Sequence, residues 1–462
     1  MLVHQAYRFE LDPTDKVAGA LARNAGAARF TYNWGLALVK QRLDARAAEV
    51  AAGEEPTGSP ASCAAGAALA EVQVPWSYYQ LRREWNRAKA TVAPWWAGCS
   101  KEAFNTGLAN LAQALSNWAK SRQGKRKGKK MGFPSFKHKG KARDSVRFTT
   151  GAMRVDDARH ITLPRIGKVR TAEPTVKLLA LLGSGRARAS AATISRRAGR
   201  WSVSFTCEVE RDDPGRYRPA QAAKVVGLDL GIKTFAVCSD GTTFISPRPL
   251  ERAQKKLRHL NKALHRARPG SANRKKAQAR LARLHARLAD LRREFLHQVT
   301  THLAKSKQVL VIEDLSVAGM LRGRHLSRAI ADQGWGELAH MAGYKAGWYG
   351  CRLIVADRWY ASPKTCSRCG ALKAELGLDT RTYHCEHCGL VIDRDRNAAL
   401  NLAAYGRAVL GEEARAQTLQ HVAASAAETL NARGGASSGL VATPGETCLG
   451  EAGTGLLLTQ VA

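Results

Sequence analysis

Long apolar runs are missing from this 462-residue sequence. A helix that spans a bilayer needs about 20 mostly apolar residues, and the apolar stretch at residues 178–182 is far shorter. The first 13 residues place His, Arg, Glu and Asp where a signal peptide would have its apolar core. We therefore expect no membrane partner and a cytoplasmic location, in which cysteines stay reduced.

Acidic residues are also scarce. The chain has 38 Asp and Glu against 73 Lys and Arg, which gives a formal net charge of +35 at pH 7. Residues 403–462 contain three basic and five acidic residues, so their formal charge is −2. The first 402 residues therefore have a formal charge of +37. Solubility does not require such an excess of positive charge. The excess predicts a polyanionic partner. With 45% hydrophobic residues the chain is not disordered as a whole, and its length suggests about three domains.

Two blocks concentrate the positive charge. Residues 120–143 hold eleven Lys and Arg, and residues 252–293 hold fifteen, opposed only by Asp290. The first block is rich in glycine and predicts a basic loop, whereas leucines at steps of three and four in the second predict two amphipathic helices that break at 268–270. Contacts to nucleic-acid phosphates are predicted at Lys125, Arg126, Lys127, Lys129, Lys130, Lys137, Lys139, Lys141, Arg252, Lys255, Lys256, Arg274, Lys275 and Lys276.

Residue patterning separates helical from β-rich regions. The opening residues predict a strand that ends at Pro13, and helical patterns follow over 14–47, 76–89 and 104–120. From Ser145 onward, short alternating segments predict a β-rich module over about 130–218. The segments KVVGLDLG, FAVCS and TFIS predict three successive strands, and QVLVIEDL and CRLIVAD predict two more after the basic helices. Together these five strands indicate a mixed sheet flanked by helices.

Two regions lack these patterns. Residues 54–66 are rich in Pro, Gly and Ser and predict an exposed loop, and residues beyond about 410 predict a poorly ordered tail.

Four cysteines have the spacing of a zinc site. They form the pattern C-x2-C-x15-C-x2-C, and a glycine follows each pair. Two such knuckles can direct four thiolates at one Zn2+ ion, which leaves no open coordination position and so predicts a structural metal. Iron is the alternative metal, and His384 and His387 are the alternative ligands. The predicted ligands are Cys366, Cys369, Cys385 and Cys388.

Three acidic positions suggest a second metal site. Asp229 and Glu313 each lie at the end of an apolar strand, and Asp393 or Asp395 precedes a helical segment after the second cysteine pair. One such acid alone is better explained by helix capping or by pairing with arginine. Three together are suited to phosphodiester cleavage, in which two Mg2+ ions bound by carboxylates stabilise the attacking and leaving oxygens.

The motifs GLDLGIKTFAV, VIEDLSV, KTCSRCG and YHCEHCGLVIDRDRNAALNL, in this order, resemble the split nuclease and inserted zinc ribbon of the TnpB (OrfB-type) transposon-associated proteins, relatives of type V CRISPR effectors. The resemblance covers roughly residues 1–405. It implies that Asp229, Glu313 and Asp395 are the catalytic magnesium ligands. It also implies RNA-guided cleavage of DNA, with a guide RNA and target double-stranded DNA as partners.

The fold implied by the resemblance is an α/β plus α+β multidomain protein. It would contain an RNase H-like (RuvC) nuclease over 219–364 and 391–410, with the four-cysteine zinc ribbon inserted at 365–390. A wedge-like β-barrel would occupy 1–12 and 130–218 and a helical recognition lobe 13–129. The poorly ordered tail predicted from composition, 411–462, is not part of the family's pattern.

Two other functions remain open from the sequence. One is an RNA-guided DNA-binding repressor that does not cut, although such a protein has no need of the three carboxylates. The other is a transposase that itself catalyses strand transfer in DNA recombination.

Overall fold

The computed structural model describes residues 1–51, 73–151, 153–212, 225–377, 379–411 and 413. The loop predicted at 54–66 lies outside these residues, as does the predicted tail apart from 411 and 413. No helix in the described ranges is both long and apolar enough to cross a membrane.

Fourteen strands are found in the described ranges, and many are short. In chain order they are β1 (Leu2–Glu10), β2 (Ser145–Phe148), β3 (Arg154–Asp157), β4 (His160–Leu163), β5 (Gly167–Arg170), β6 (Ala187–Arg197), β7 (Arg200–Glu210), β8 (Val225–Leu230), β9 (Ala236–Cys238), β10 (Thr243–Phe244), β11 (Val309–Glu313), β12 (Arg352–Ala356), β13 (Thr382–His384) and β14 (Val391–Asp393).

The helices of the same ranges vary in length from one turn to ten turns. They are α1 (Asp15–Ala51), α2 (Tyr78–Val92), α3 (Lys101–Arg122), α4 (Val176–Gly183), α5 (Pro249–Arg252), α6 (Gln254–Arg266), α7 (Ala272–Ser306), α8 (Val317–Met320), α9 (Ser327–Gln333), α10 (Trp335–Tyr349) and α11 (residues 394–411), with a 3-10 turn at Pro94–Gly98.

The amino-terminal helices and the first sheet share one hydrophobic core. Serine side chains at 77 and 100 cap α2 and α3 by accepting backbone N–H groups of the first turn. Leu36 of α1, Leu108 of α3 and Phe205 of β7 belong to the same buried cluster. The helical region and the β-rich region therefore stabilise each other through contiguous apolar contacts.

The predicted wedge-like barrel is not closed in the described residues. One antiparallel sheet has the order β1-β7-β6-β2, and a separate sheet has the order β3-β4-β5, joined to the first by a single bridge between Leu11 and Thr171. β2 to β5 are four residues long each, and α4 separates β5 from β6. The chain thus leaves the sheet before a ring of strands can form.

A second, five-stranded sheet has the mixed character that the sequence predicts. Its order is β10-β9-β8-β11-β12. β8, β11 and β12 are parallel, whereas β9 and β10 run antiparallel to their neighbours. In order of appearance this is 3-2-1-4-5, the arrangement of an RNase H-like sheet. The crossover between β8 and β11 contains α5, α6 and α7, so the basic helices belong to the same domain as this sheet.

The two faces of this sheet are covered by different helices. Val226 and Leu310 face a cluster that includes Leu296 of α7 and Leu338 of α10. Alternate positions on the strands face the other side, where α11 contributes Leu402 to a smaller cluster. Strands buried on both faces explain the nearly continuous apolar sequences of β8 and β11.

α11 approaches β8 unusually closely. A methyl group placed at Gly227 would lie 2.1 Å from the carbonyl oxygen of Ala399 and 2.6 Å from the backbone nitrogen of Ala403. At Gly406, an added methyl group would lie 2.4 Å from a methyl carbon of Val311. Small residues on both elements therefore allow backbone-to-backbone packing.

We expect Gly227→Ala to destabilise the five-stranded sheet by about 3 kcal/mol or more, because backbone atoms of α11 would have to move. Thermal unfolding would measure the loss. Gly343→Ala is the matched control, since Gly343 is exposed on α10 with no atom near its added methyl group; it should be neutral or stabilise by up to about 1 kcal/mol. Equal melting temperatures for Gly227→Ala and wild type would contradict the close packing.

Candidate active site and metal centre

Strand register places Asp229 beside Glu313. β8 and β11 are parallel, and Leu228 pairs with Ile312. The next residue on each strand is therefore the acid, on neighbouring strands that lie about 4.8 Å apart. Both carboxylates come at the carboxyl end of the sheet and are partly buried. Asp229 and Glu313 are more than eighty residues apart in the sequence. They nevertheless lie side by side at the carboxyl ends of two paired strands.

α11 adds the third acid to the same edge. Asp395 lies in its first turn, and a methyl group added at Gly231, just after β8, would be 3.9 Å from Asp395 Oδ2. Asp393, the alternative at this position, is exposed, and its Oδ1 accepts a hydrogen bond from the Arg396 backbone N–H at 3.0 Å. The structure therefore brings Asp395 towards Asp229, and Asp393 caps the helix.

Burial and neighbouring negative charges raise the proton affinity of Asp229. Burial raises the pKa of Asp229 well above its usual value, and the nearby Glu313 and Asp395 raise it further. Burial also raises the pKa of Glu313, partly offset by the hydrogen bond that Ser362 Oγ donates to its carboxylate. Arg394 pairs with Asp395 at 3.1 Å. Among the described residues no hydrogen-bond donor is found for the Asp229 carboxylate.

The three acids do not form a tight cluster of ligand atoms. In the described part of the chain, the four cysteines are the one set of three or more His, Cys, Asp or Glu residues whose ligand atoms all lie within 4.8 Å of one another. The carboxylates of Asp229, Glu313 and Asp395 are therefore more widely spaced than ligands of a single small ion.

The cysteine cluster has the dimensions of a tetrahedral thiolate site. Sγ atoms of Cys366 and Cys388 are 3.6 Å apart, as are those of Cys369 and Cys385. A tetrahedron with Zn–S bonds near 2.3 Å has sulfur atoms about 3.8 Å apart. His384 and His387, the alternative ligands, are not members of the cluster.

Both knuckles repeat one backbone pattern. Gly370 N–H donates to the Cys366 carbonyl at 2.9 Å, and Gly389 N–H donates to the Cys385 carbonyl at 3.0 Å. These glycines have φ of 77° and 69°, a conformation that favours glycine. Backbone N–H groups of Cys388 and His387 lower the pKa of the Cys385 thiol. This knuckle therefore favours the thiolate of Cys385, and thiolate is the form that binds metal.

Two asparagines on α11 connect the cysteine ribbon to the carboxylates. The Asn397 side chain accepts from Ser367 N–H at 3.0 Å and donates to the Thr365 carbonyl at 2.7 Å. Asn401 Nδ2 donates to the carbonyls of Thr365 and Ser362 at 2.6 and 2.7 Å. Ser362, fully buried, then donates to Glu313. A continuous chain of hydrogen bonds thus runs from the first knuckle to the carboxylate pocket.

Sequence reasoning did not identify Ser362, Asn397 or Asn401. The two asparagines are four residues apart and so lie on one face of α11. That spacing was the available signal. Nothing in the local sequence distinguishes Ser362 from other serines.

The predicted phosphate-binding residues are mostly exposed. Two of the fourteen are not. Lys137 Nζ lies 3.8 Å from the centre of the Tyr32 ring, and burial lowers the pKa of Lys137. Arg274 Nη1 donates to the carbonyls of Leu264 and Ala267, both at 3.0 Å, and so closes the end of α6. The structure gives these two side chains intramolecular contacts.

The second basic block forms a groove between α5, α6 and α7. Arg252 and Lys256 lie on one side of it, opposite three arginines on one face of α7. Those arginines were not among the predicted contacts and are Arg280, Arg283 and Arg287. Asp290, the single acid of the block, pairs with Arg200 of the first sheet at 3.1 Å.

Three family models match the chain. One, described as "Probable transposase", matches residues 204–324, and a "Cas12f1-like, TNB domain" matches residues 335–402. A "Helix-turn-helix domain" model matches residues 1–47, where this structure has β1 and the single long helix α1.

Curated relatives match over most of the chain. A "Putative RNA-guided DNA endonuclease" of Mycobacterium tuberculosis (strain CDC 1551 / Oshkosh) is 38% identical and covers 87% of this chain and 86% of the relative. Another of the same name, from Streptomyces pristinaespiralis, is 34% identical and covers 88% and 90%. Among solved structures, a Cas12f1 complex with single-guide RNA and target DNA aligns with a TM-score of 0.47 at 14% identity, over 87% of this chain and 99% of that one.

The raised pKa of Asp229 predicts a pH-dependent stability. A carboxyl group whose pKa is higher in the folded protein stabilises the fold when protonated, and this contribution is lost as pH rises through the folded pKa. Without added magnesium, Asp229→Asn should therefore melt at a higher temperature than wild type at pH 8, with a gain of about 1 kcal/mol. The difference should vanish near pH 4. Equal melting temperatures at pH 8 would contradict a repulsive carboxylate pocket.

Proposed function

The chain belongs to the TnpB (OrfB-type) family, and on this premise we propose that it is an RNA-guided DNA endonuclease. The observation that carries the proposal is the convergence of Asp229, Glu313 and Asp395 at one edge of an RNase H-like sheet. Relatives that match 86–90% of their own length are named RNA-guided DNA endonucleases. A net charge of +35 provides the attraction for nucleic acid.

The pocket fits Mg2+ as its catalytic metal, and we propose two ions. Carboxylate oxygens are the ligands that Mg2+ prefers, and Asp229, which has no described hydrogen-bond donor, is stabilised in its charged form by a cation. Asp229, Glu313 and Asp395 would hold the ions. When bound, two such ions activate a water molecule and stabilise the leaving oxygen of a phosphodiester.

The protein itself orients these ligands. Ser362 fixes the Glu313 carboxylate by a hydrogen bond, and the Ser362 backbone is in turn held by Asn401. Arg394 holds Asp395 at the start of α11. Buried donors of this kind limit side-chain rotation, so the carboxylates keep their positions when the substrate phosphate arrives.

The basic surfaces are proposed to bind the guide RNA and the target DNA. The groove between α6 and α7 has five cationic side chains on its walls and an apolar floor of leucines. The loop at 125–130 exposes five more. These cationic side chains are suited to bind phosphate groups, and they form no pattern that would recognise particular bases. Sequence specificity would therefore come from base pairing with the guide RNA.

We propose that the cysteine cluster binds a structural Zn2+ ion. Four thiolates leave no open position for chemistry. The ribbon has a small apolar core around Tyr383, too small to be stable without a metal. Its attachment through Asn397 makes the ribbon a support for the first turn of α11, where Asp395 lies.

Loss of either strand-end carboxylate should abolish cleavage. We expect guide-loaded Asp229→Ala or Glu313→Ala to cut target DNA at least about 1,000-fold more slowly, because metal binding is lost. Binding of target DNA should change by less than about threefold, since phosphate contacts lie elsewhere. Cleavage of labelled DNA and a gel-shift titration measure the two effects. A guide-loaded variant that cuts at the wild-type rate would refute the site.

Asp393→Asn is the matched control, because asparagine keeps the helix cap while removing the charge. It should cut normally, whereas Asp395→Asn should not. The reverse result would assign the third ligand to Asp393. Wild-type protein that binds target DNA through a guide but never cuts it would favour the repressor, and joined transposon ends without guide RNA would favour the transposase.

Cys366→Ser should lose close to one equivalent of zinc, measured by metal analysis of purified protein, because three thiolates bind far more weakly than four. The ribbon should melt at a lower temperature. Cys99→Ala, at a cysteine outside the cluster, should keep its zinc. Purified wild-type protein that contains no zinc or other thiolate-bound metal would contradict the assignment.

A further inference from the structure

Trp359 is the most exposed large hydrophobic side chain of the described residues, with 87% of its surface accessible. It follows β12, where Ala356 pairs with Glu313 of β11. Three residues of chain span at most about 10 Å. An indole ring is therefore presented to solvent at the same sheet edge as the carboxylates.

The segment that contains Trp359 is attached to the pocket on both sides. Arg358, before it, forms an ion pair with Asp314, the residue after Glu313. Ser362, after it, donates its hydrogen bond to Glu313 itself. The position of Trp359 is thus tied to that of a proposed metal ligand.

Local hydrogen bonds make this segment a defined turn. Trp359 N–H donates to Asp357 Oδ1 at 2.8 Å, and Tyr360 N–H donates to the Asp357 carbonyl at 3.1 Å. The Tyr360 hydroxyl donates to the Asn401 carbonyl at 3.1 Å, and its ring packs on Tyr405. The exposure of Trp359 therefore comes from a turn whose backbone is held by hydrogen bonds and whose next residue, Tyr360, is turned inward.

We propose that Trp359 is a stacking site for an unpaired nucleobase of the DNA strand whose phosphate enters the carboxylate pocket. The inference rests on the proposed endonuclease function and deepens it. Stacking of a base on an aromatic side chain contributes about 1–3 kcal/mol and requires a base that is not covered by its neighbours in a duplex. An exposed ring on a fixed turn loses little entropy on binding.

The chemistry of the turn favours nucleic acid over a protein partner. A protein interface needs a contiguous apolar patch, whereas the immediate neighbours of Trp359 are Arg358 and Tyr360, the first charged and the second turned inward. A base stacked here would fix the adjacent phosphate relative to Glu313. Trp359 would then act as a substrate-positioning residue.

Guide-loaded wild type, Trp359→Ala and Trp359→Phe should be compared in single-turnover cleavage of a target duplex, with target binding measured separately. We expect Trp359→Ala to cut roughly 10- to 100-fold more slowly, the loss of one stacking contact. Trp359→Phe should cut within about threefold of wild type, because the ring is retained. Target binding and melting temperature should not change.

Tyr79→Ala is the matched control, since Tyr79 is 78% exposed on α2, outside the five-stranded sheet. It should cut at the wild-type rate. Trp359→Ala that cuts as fast as wild type would overturn the proposal. Equal slowing of Trp359→Ala and Trp359→Phe, or a fall in melting temperature, would also overturn it by showing a structural role.

A second measurement does not depend on cleavage. A single-stranded DNA probe with 5-iododeoxyuridine should photo-crosslink to Trp359 in wild type, as located by mass spectrometry of the peptides. The crosslink should be absent in Trp359→Ala. If wild type never cuts DNA but this crosslink forms, the stacking site stands while the proposed function fails; crosslinks that avoid Trp359 overturn the stacking site.

Discussion

The close contact between α11 and β8 is the constraint on which the candidate site depends. Gly227 leaves room for the carbonyl of Ala399 where any other side chain would collide. This contact sets the distance and the rotation of α11 relative to the sheet. It therefore determines where Asp395 lies relative to Asp229, which is two residues beyond Gly227. Backbone packing of this kind permits little relaxation, because no flexible side chain separates the two elements. The backbone positions of Asp229 and Asp395 are therefore set by this packing.

The same helix joins the pocket to the cysteine ribbon. Asn397 and Asn401 repeat one turn apart, and both donate to the Thr365 carbonyl at the entry to the first knuckle. The first turn of α11 carries both Asp395 and Asn397, and Asn401 in the next turn makes a second contact to the chain that enters the ribbon. A metal bound by the cysteines would thus stabilise the pocket without touching it. The ribbon is inserted in the chain between β12 and α11, and Ser362, which donates to Glu313, lies in the same interval just before the ribbon.

Charge is arranged around this centre. The acids of the chain are few, and three of them lie at one end of the five-stranded sheet, where burial and then the charges of Glu313 and Asp395 raise the pKa of Asp229. Such an arrangement destabilises the metal-free protein and is retained where a ligand offsets it. The surrounding basic residues lie on helices and loops farther out, with Asp290 directed into an ion pair with Arg200 of the first sheet. Positive surface and negative pocket together suit a phosphodiester substrate that brings its own charge and requires cations at one bond.

Local sequence determined the strands, the amphipathic helices and the cysteine spacing, because hydrophobic period and residue spacing are properties of adjacent residues. It also placed Asp229 and Glu313 at strand ends. Only the tertiary structure decided that these strands are adjacent, that the predicted barrel is open, and that Asp395 faces the pocket while Asp393 caps a helix. Ser362, Asn401 and the exposed ring of Trp359 likewise became visible only in three dimensions. Pairing and packing join residues that are far apart in the chain, so they depend on the whole fold and not on any local pattern.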